Sequence, residues 1–165
     1  MTKRRDVLAL GIFGGATLLA QGPAAAQSPP ADRSAAAMAA LADRYAAAVN
    51  AHDTSSFPDI HTESYIQHSG RSPSGLAAQI ELFKRIFAAM PDLRMVVEDR
   101  IIAGDKIVTR NAFSATHTNT VRGFPPTGKP FTFHTIDIWR VENGKLAEHW
   151  DVTDTVEVLR ALRGE

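Results

Sequence analysis

The sequence predicts an α+β fold in which helices near the N-terminus cover one face of a curved antiparallel sheet. Apolar residues recur at helical spacing in two segments, 34–51 and 74–90. From residue 93 onward, apolar and polar residues alternate in runs separated by glycine-containing turns, which is typical of strands joined by hairpins. Helices gathered before strands indicate α+β rather than parallel α/β. We expect a cavity between the helices and the curved side of the sheet.

Residues 1–26 have the pattern of a secretory signal peptide. Lys3-Arg4-Arg5 precede an apolar run from Val7 to Ala20, and Ala24-Ala25-Ala26 provide a small-residue cleavage site. The paired arginines predict the twin-arginine export route, with general secretion as the alternative. The apolar run is short and interrupted by glycine, so no stable membrane anchor is expected. We therefore predict an exported protein, periplasmic or secreted, with a flexible mature terminus over residues 27–33.

The composition suits one globular domain, which we place at residues 34–165. Apolar residues make up 44% of the chain and charged residues 22%, ordinary values for a soluble domain. There is no cysteine, which excludes disulfides, thiolate metal sites and cysteine nucleophiles. The chain has 18 basic and 18 acidic residues; removing the three basic and one acidic residues of segment 1–26 leaves 15 and 17, a net charge of −2. This charge gives no reason to expect a nucleic-acid partner.

Two long helices are predicted in the first half of the domain, each with apolar residues along one face. The first, over 34–51, begins at a Ser34 cap and presents Tyr45 within a stripe of core residues, where the hydroxyl could reach a pocket. A short helical segment over 54–61 and a short strand over 63–68 follow. The second long helix, over 74–90, ends before Pro91. Its stripe consists of Leu76, Ile80, Phe83 and Phe87, with Ile86 and Met90 beside it.

Long strands occupy most of the second half of the chain. We predict strands over 93–103 and 106–118, a loop over 119–130 rich in glycine and proline, and a final hairpin over 131–154. Asp154 caps a short closing helix and is followed by an acidic residue at the third helical position.

The final hairpin places ionisable groups inside apolar strands, at His134, Asp137, His149 and Asp151. Such groups are unfavourable in a half-buried strand unless they are paired or used in chemistry, so the chemistry is expected here. The turn decides which of them meet. A two-residue turn at Asn143-Gly144 places Asp137 opposite Trp150 and points Asp151 to the other face.

A three-residue turn at residues 142–144 gives a different register. Asp137 then faces His149, Thr135 faces Asp151, and all four residues share one face of the sheet. The two aspartates become diagonal neighbours, roughly 7–8 Å apart at the backbone. The Asn-Gly dipeptide alone favours the two-residue turn, whereas the family resemblance described next favours the three-residue turn.

Six blocks resemble a known family in both order and spacing. They are Tyr65-Ile66-Gln67-His68, Met90-Pro91-Asp92-Leu93, the segments 103–108, 116–118 and 125–129, and the stretch from Asn143 to Asp151. Together they cover about residues 35–162 and resemble the SnoaL-like polyketide cyclase and ester cyclase family. The resemblance implies a cone-shaped α+β barrel of the nuclear transport factor 2-like type, which usually forms homodimers or tetramers.

The resemblance also implies an acid/base site. In the cyclases of this family an aspartate after the hairpin transfers the proton, and Asp151 matches it. The family's histidine fourteen positions earlier is replaced here by Asp137, which is a departure. Two carboxylates would then share one cavity, and the pKa of one is expected to rise. His149 is our preferred substitute for the missing imidazole, because His134 faces away from Asp137 in a regular strand.

The chemistry expected from this site is a cofactor-free, intramolecular aldol-type condensation or related proton abstraction on a small apolar carbonyl substrate. The residues expected to line the substrate pocket are Tyr65, His68, Phe87, Phe133 and Trp139. Each has packing in the core as its alternative role. The departure at Asp137 leaves the substrate open.

Three other interpretations of the domain remain. It could be an isomerase or epoxide-hydrolase-like enzyme that uses the same aspartates, with Arg110 or Tyr65 between them. It could equally be a non-catalytic exported barrel that binds a small apolar ligand. A metal site formed by His149, Asp151 and Asp137 is the third, but the histidines lack metalloprotease spacing and we expect no metal. No phosphate loop or dinucleotide fingerprint is present, so no nucleotide cofactor is expected.

Overall fold

The computed structural model describes residues 32–70 and 72–165, so the predicted signal peptide and nearly all of segment 27–33 lie outside the described residues. The elements in chain order are α1 (Ala35–Ala51), α2 (Phe57–Ile60), β1 (His61–Gln67), α3 (Leu76–Ala89), β2 (Arg94–Ala103), β3 (Lys106–Thr116), β4 (Pro130–Glu142), β5 (Lys145–Thr153) and α4 (Thr155–Arg163). The predicted α+β order is confirmed. Within the described residues no helix is both long and apolar enough to span a membrane.

Both predicted helix caps are present. The Ser34 hydroxyl accepts a hydrogen bond from the Ala37 N–H at 3.1 Å at the start of α1. The Asp154 carboxylate accepts one from the Glu157 N–H at 3.2 Å at the start of α4. Each cap satisfies an amide that has no partner within its helix, which fixes where the helix begins.

The five strands form one curved, unclosed sheet in the order β1-β5-β4-β3-β2. Strands β2, β3, β4 and β5 pair with one another in antiparallel fashion. At the edge of the sheet, β1 runs parallel to β5. The expectation of a wholly antiparallel sheet is therefore wrong at one edge. Strand β1 follows α2 and is joined through α3 to β2 at the opposite edge of the sheet. No hairpin joins β1 to β5, so no tight turn dictates its direction.

The hairpin between β4 and β5 follows neither of the two registers expected from the sequence. Asn143 and Gly144, with φ of 51° and 74°, form a two-residue turn, and Glu142 pairs with Lys145. The register then shifts between Arg140 and Val141, where Ala147 is the extra residue of a β-bulge. The preferred three-residue turn is wrong. The bulge nevertheless shifts every later residue of β5 by one position.

The helices pack on the concave face of the sheet and form the core with it. α1 lies against β2 and β3, α3 against β1, and α4 against β4. The side chain of Asn50 fastens the end of α1 to the sheet, since it accepts from the Met95 N–H at 2.7 Å and donates to the Met95 carbonyl at 2.9 Å. Trp139 lies 2% exposed in this core, beside Tyr45. The helices and the sheet leave a cavity between them.

Candidate active site

A cavity of about 530 Å³ lies between the helices and the concave face of the sheet. This volume is within the range of small-molecule sites in proteins. Its apolar wall includes Phe83, Ile86, Met90, Leu93, Phe113, Val121, Phe131, Phe133 and Leu162. Its polar groups include Tyr45, Gln67, Gln79, Thr135, Asp137, His149 and Asp151, and two exposed arginines, Arg85 and Arg122, also line it. The arrangement suits an organic ligand that is mainly apolar.

Asp137 and Asp151 are directly opposite each other on the cavity side of β4 and β5. They are cross-strand partners, not the diagonal neighbours expected from the sequence. Potential ligand atoms of Asp137, His149 and Asp151 all lie within 4.8 Å of one another. The β-bulge produces this arrangement, because without it a two-residue turn pairs Asp137 with Trp150.

Three donors hold the Asp137 carboxylate, which is 6% exposed. The Thr135 hydroxyl donates to Oδ2 at 2.6 Å, and the Asn111 amide donates to the same oxygen at 2.5 Å. His149 Nε2 lies 2.8 Å from Oδ1. All three favour a carboxylate, which can only accept hydrogen bonds. Asp151 is more exposed and therefore more available to a ligand in the cavity.

The tautomer of His149 follows from its neighbours. The Ser69 N–H donates to Gln67 Oε1 at 3.2 Å, which turns Gln67 Nε2 toward His149 Nδ1 at 2.9 Å. An amide nitrogen only donates, so Nδ1 accepts and carries no proton. The proton of the neutral imidazole is then on Nε2, from which it points at Asp137. His149 orients Asp137 and has no lone pair directed at it.

The same hydrogen bonds disfavour metal binding by Asp137, His149 and Asp151. A metal ion bound by His149 Nε2 would require the proton to move to Nδ1. Nδ1 faces the Gln67 amide nitrogen, which would have to exchange places with Oε1 and lose the Ser69 contact. The three residues are close enough to bind an ion, but their hydrogen bonds suit a proton on Nε2.

Burial governs the protonation of the aromatic groups behind the carboxylates. The pKa of Tyr45 is raised well above its ordinary value by burial, by the Asp137 charge and by Tyr65. Burial and Asp137 likewise raise the pKa of Tyr65. Burial lowers the pKa of His61 from 6.5 to about 4, although a hydrogen bond to the Phe57 carbonyl opposes the change. Both phenols are therefore protonated donors at neutral pH, and His61 is uncharged.

The structure brings together the three residues expected to be catalytic, Asp137, His149 and Asp151. Of the five expected pocket residues, Phe133 lines the cavity. The other four are not among the lining residues: Trp139 and Tyr65 pack behind His149, Phe87 stacks on His52, and His68 stacks on Trp150. His68 is directed away from the cavity because it also pairs with Glu148 at 2.8 Å.

Several residues of the site were not singled out from the sequence. Asn111 on β3 is fully buried, and Gln67 at the end of β1 binds His149. On the α3 stripe, Gln79 is buried where the helical pattern placed Ile80. The period of two along β3 could have identified Asn111, since Ile107 and Phe113 lie on the same face. Nothing in the local sequence marked Gln67, which depends on the edge pairing of β1.

Comparison with known proteins identifies the domain. Residues 39–162 match the SnoaL-like polyketide cyclase family. The chain belongs to this family. The resemblance noted from the sequence blocks, and the nuclear transport factor 2-like fold that it implied, are confirmed. No curated protein sequence is significantly similar to this SnoaL-like chain.

Solved structures agree with the family assignment. TsrD from Streptomyces laurentii is 27% identical, with a TM-score of 0.75 over 79% of this chain and 98% of its own. AclR from Streptomyces galilaeus, a proposed hydroxylase, is 28% identical, with a TM-score of 0.72 over 80% and 84% of the two chains. IdmH from Streptomyces antibioticus, a proposed polyketide cyclase, is 26% identical, with a TM-score of 0.66 over 77% and 98%. This SnoaL-like domain therefore spans most of the length of each.

Proposed function

We propose that this SnoaL-like protein is a cyclase that performs cofactor-free acid/base chemistry on a small apolar carbonyl compound. The observation that carries the proposal is the cross-strand pair Asp137 and Asp151, which lies in a mainly apolar cavity of about 530 Å³. One carboxylate of the pair is held by three donors, and the other is the more exposed. That asymmetry suits one fixed charge and one group that exchanges a proton.

The reaction requires one proton-transfer group used twice. The Asp151 carboxylate removes a proton from the carbon next to a carbonyl, and the resulting enolate attacks a second carbonyl of the same molecule. A carbon–carbon bond forms, and the new alkoxide takes the proton back from Asp151. Substrate and product are isomers, so no oxidant or reductant is consumed. The apolar wall contributes by positioning the chain and excluding water.

Neighbouring residues support this transfer in distinct ways. Asp137, fixed by Thr135, Asn111 and His149, provides a stationary negative charge beside Asp151. The Tyr45 hydroxyl lines the cavity and, because its pKa is raised, remains protonated at neutral pH. It can therefore donate a hydrogen bond to the enolate oxygen as negative charge develops there.

Deuterium exchange tests the proposal without knowledge of the natural substrate. The probe is 2-tetralone, a bicyclic ketone with acidic protons next to its carbonyl, incubated in D₂O with EDTA-treated protein and followed by proton NMR. We expect the wild-type protein to accelerate the exchange and Asp151→Asn to abolish the acceleration. Asp99→Asn is the matched control. Asp99 is an exposed residue of β2, so its replacement makes the same charge change outside the cavity.

The alternative function is a non-catalytic barrel that binds an apolar ligand. It makes a different prediction in the same experiment. 2-Tetralone would then bind, as judged by displacement of a fluorescent apolar probe, but its protons would exchange no faster than in buffer without protein. Binding without exchange in the wild-type protein would therefore reject the cyclase proposal and favour the binding barrel.

We also propose that the protein forms a homodimer through the outer face of the sheet. Paired residues of four adjacent strands, Ile101, Val108, Ile138 and Trp150, form an apolar row across this face. Ile101 is 58% exposed, and Val152, next to the row, is 73% exposed. Two ion pairs flank the row, Arg110 with Glu98 and Arg140 with Glu148. A second copy, related by a twofold axis, presents the same apolar row and the same charges of both signs.

Sedimentation velocity tests the dimer. Wild-type protein is expected to sediment as a dimer and Val152→Glu as a monomer, because the substitution introduces a charge into the apolar contact. Val156→Glu is the control, since Val156 is also an exposed valine, at 60%, but lies on α4. A monomeric wild-type protein at micromolar concentration would contradict the proposal.

Export is a further part of the proposed function. The twin-arginine pattern and the small-residue cleavage site predict that the mature chain begins at Gln27. N-terminal sequencing of the protein recovered from the periplasm tests this start. Replacement of Arg4 and Arg5 by lysine is expected to retain the precursor in the cytoplasm. Unchanged export of that variant would favour the general secretion route.

A further inference from the structure

Two arginines lie at the opening of the cavity that contains Asp151. Arg85 on α3 and Arg122 in the loop between β3 and β4 both line this cavity, and both are exposed. A residue that lines a cavity and is also exposed to solvent lies where that cavity opens. The carboxylates that line the same cavity, Asp137 and Asp151, are on its sheet side and are less exposed. The cavity therefore has positive charge at its opening and negative charge inside.

Helical spacing directs Arg85 toward the cavity. Leu82 lies three residues before it and Ala89 four residues after it, and both line the cavity. Residues three and four apart share one face of a helix. The adjacent cation, Lys84, is not among the lining residues. Arg85 consequently belongs to the face of α3 that borders the cavity.

A hydrogen bond brings the second arginine to the same part of the opening. The Asn119 side-chain amide donates to the Ala88 carbonyl at 3.1 Å, which fastens the loop to the end of α3. Ala88 lies three residues after Arg85 on the helix. In the loop, Arg122 follows Asn119 by three residues. The two long side chains are therefore anchored on the same edge of the cavity opening.

The backbone conformation of Arg122 is uncommon for such a residue. Arg122 and Gly123 form a two-residue turn with φ of 50° and 84°. Two backbone hydrogen bonds between Val121 and Phe124, at 3.1 and 2.9 Å, close the turn. Positive φ at both central residues favours glycine, asparagine or aspartate over a bulky side chain. Backbone strain of this kind clusters at functional sites, so an arginine here indicates that its side chain has a role beyond the turn.

The fold itself does not neutralise the two arginines. In the described part of the chain, neither guanidinium forms a hydrogen bond or an ion pair. Glu81, one turn before Arg85, interacts with it electrostatically, but the Glu81 carboxylate already pairs with Lys84 at 2.8 Å. By contrast, Arg110 and Arg140 on the sheet each pair with a glutamate. The two cations at the opening are therefore available to a ligand.

We propose that Arg85 and Arg122 are specificity-determining residues that bind a carboxylate of the substrate at the cavity opening. The planar guanidinium matches a carboxylate in shape and charge. A phosphate is disfavoured, because phosphate sites commonly use the backbone amides of a helix N-terminus, whereas Arg85 lies in the C-terminal half of α3. This inference rests on the proposed function and narrows its substrate class to apolar keto acids. The acid group lies at the arginines, away from the two aspartates, and the ketone lies at Asp151.

Two matched probes measure the contribution of the negative charge. 2-Naphthoic acid and 2-naphthamide have nearly the same shape, and at neutral pH only the acid is charged. Each displaces N-phenyl-1-naphthylamine from the cavity, and the fluorescence decrease gives the ratio of their dissociation constants. We expect the wild-type protein to prefer the acid, and Arg85→Gln and Arg122→Gln each to shift the ratio against the acid by about three- to tenfold. A wild-type preference for the amide, or an unchanged ratio in both variants, would overturn the proposal.

Arg44→Gln is the matched control, because Arg44 is an exposed arginine of α1 that does not line the cavity. It makes the same change in net charge, and its ratio of dissociation constants is expected to equal that of the wild-type protein. A shift equal to those of the cavity variants would show that net charge sets the preference and would overturn the proposal. 2-Naphthyl phosphate tests the class of anion, since tighter binding of this compound than of 2-naphthoic acid would reject a carboxylate.

This inference and the cyclase proposal can fail separately. 2-Tetralone has no carboxylate, so its deuterium exchange tests proton transfer at Asp151 alone. The naphthoic acid measurement requires no turnover and tests the arginines alone. A shifted ratio without exchange would reject the cyclase and support an acid-binding cavity. Exchange with an unchanged ratio would support the cyclase and overturn the role of the arginines.

Discussion

Asp137 and Asp151 face each other across β4 and β5 because a two-residue turn is combined with a one-residue bulge at Ala147. With Ala147 present, the turn pairs Asp137 with Asp151 only because the bulge takes up this one additional residue. The turn without the bulge would leave Asp151 on the outer face of the sheet, away from the cavity. The candidate active site of this SnoaL-like protein therefore depends on an irregularity in a strand.

Deleting Ala147 is expected to retain the pairing of Asp137 with Asp151. Removing Ala147 brings Asp151 one position nearer the turn, so a regular two-residue hairpin without a bulge then places Asp151 opposite Asp137. Cross-strand nuclear Overhauser contacts between the two aspartates report the register. Transfer of the Asp137 contacts to Trp150 in the deletion variant would contradict this account of the bulge.

Replacing Thr135 by valine is expected to lower the free energy of unfolding by about 1.5–3 kcal/mol, the usual contribution of a hydrogen bond to a charged group. The substitution preserves the shape of the side chain and removes the hydroxyl that donates to Asp137 at 2.6 Å. Thr132→Val on the same strand is the control, because Thr132 is exposed. Equal urea midpoints for the two variants would show that the hydroxyl does not stabilise the Asp137 carboxylate.

The imidazole of His149 is expected to carry its proton on Nε2. Nitrogen-15 NMR of the side chain checks this directly, since a protonated ring nitrogen and an unprotonated one have well-separated chemical shifts. Nδ1 is expected to be of the unprotonated type because it accepts from Gln67. A protonated Nδ1 in the resting protein would refute the assigned tautomer and restore Nε2 as a potential metal ligand.

His61 makes the stability of the protein depend on pH. Its pKa is lowered to about 4 by burial in the folded state, against 6.5 in the unfolded chain. Between these values the unfolded chain binds more protons, so the free energy of unfolding falls as pH falls from 6.5 toward 4. The gap between the two values corresponds to on the order of 3 kcal/mol.

The contribution of His61 is obtained by comparison with His61→Leu, which cannot titrate at this position. The wild-type curve of unfolding free energy against pH is expected to be steeper than that of the variant between pH 6.5 and 4. Above pH 6.5 the two curves are expected to run parallel, because His61 is then uncharged in both states. Parallel curves over the whole range would show that burial does not suppress protonation of His61.

The sequence was informative where local patterns determine structure. Helical periodicity identified α1 and α3, and the Ser34 and Asp154 caps fixed where two helices begin, because these features depend on neighbours along the chain. The parallel direction of β1 depends on contacts between residues far apart in sequence. No local pattern carries that information.

The site was predictable in part for the same reason. The ionisable residues of β4 and β5 were visible because they interrupt apolar strands. Their mutual position was not, since nothing in the sequence around Ala147 marked the bulge that sets the register. Asn111 and Gln79 reach the site from other elements, β3 and α3, and only the assembled fold shows that they line or support the same cavity.

The most direct test compares two isosteric variants, Asp151→Asn and Asp137→Asn, in the 2-tetralone exchange experiment. Binding of 2-tetralone by each variant is first matched by displacement of the fluorescent probe. Exchange in the presence of Asp151→Asn is expected to fall to the rate in buffer alone, since general acid/base catalysis typically contributes about 10²–10⁴-fold. Asp137→Asn is predicted to retain part of the rate. Full loss in Asp137→Asn with exchange preserved in Asp151→Asn would contradict the assignment of Asp151 as the proton-transfer group.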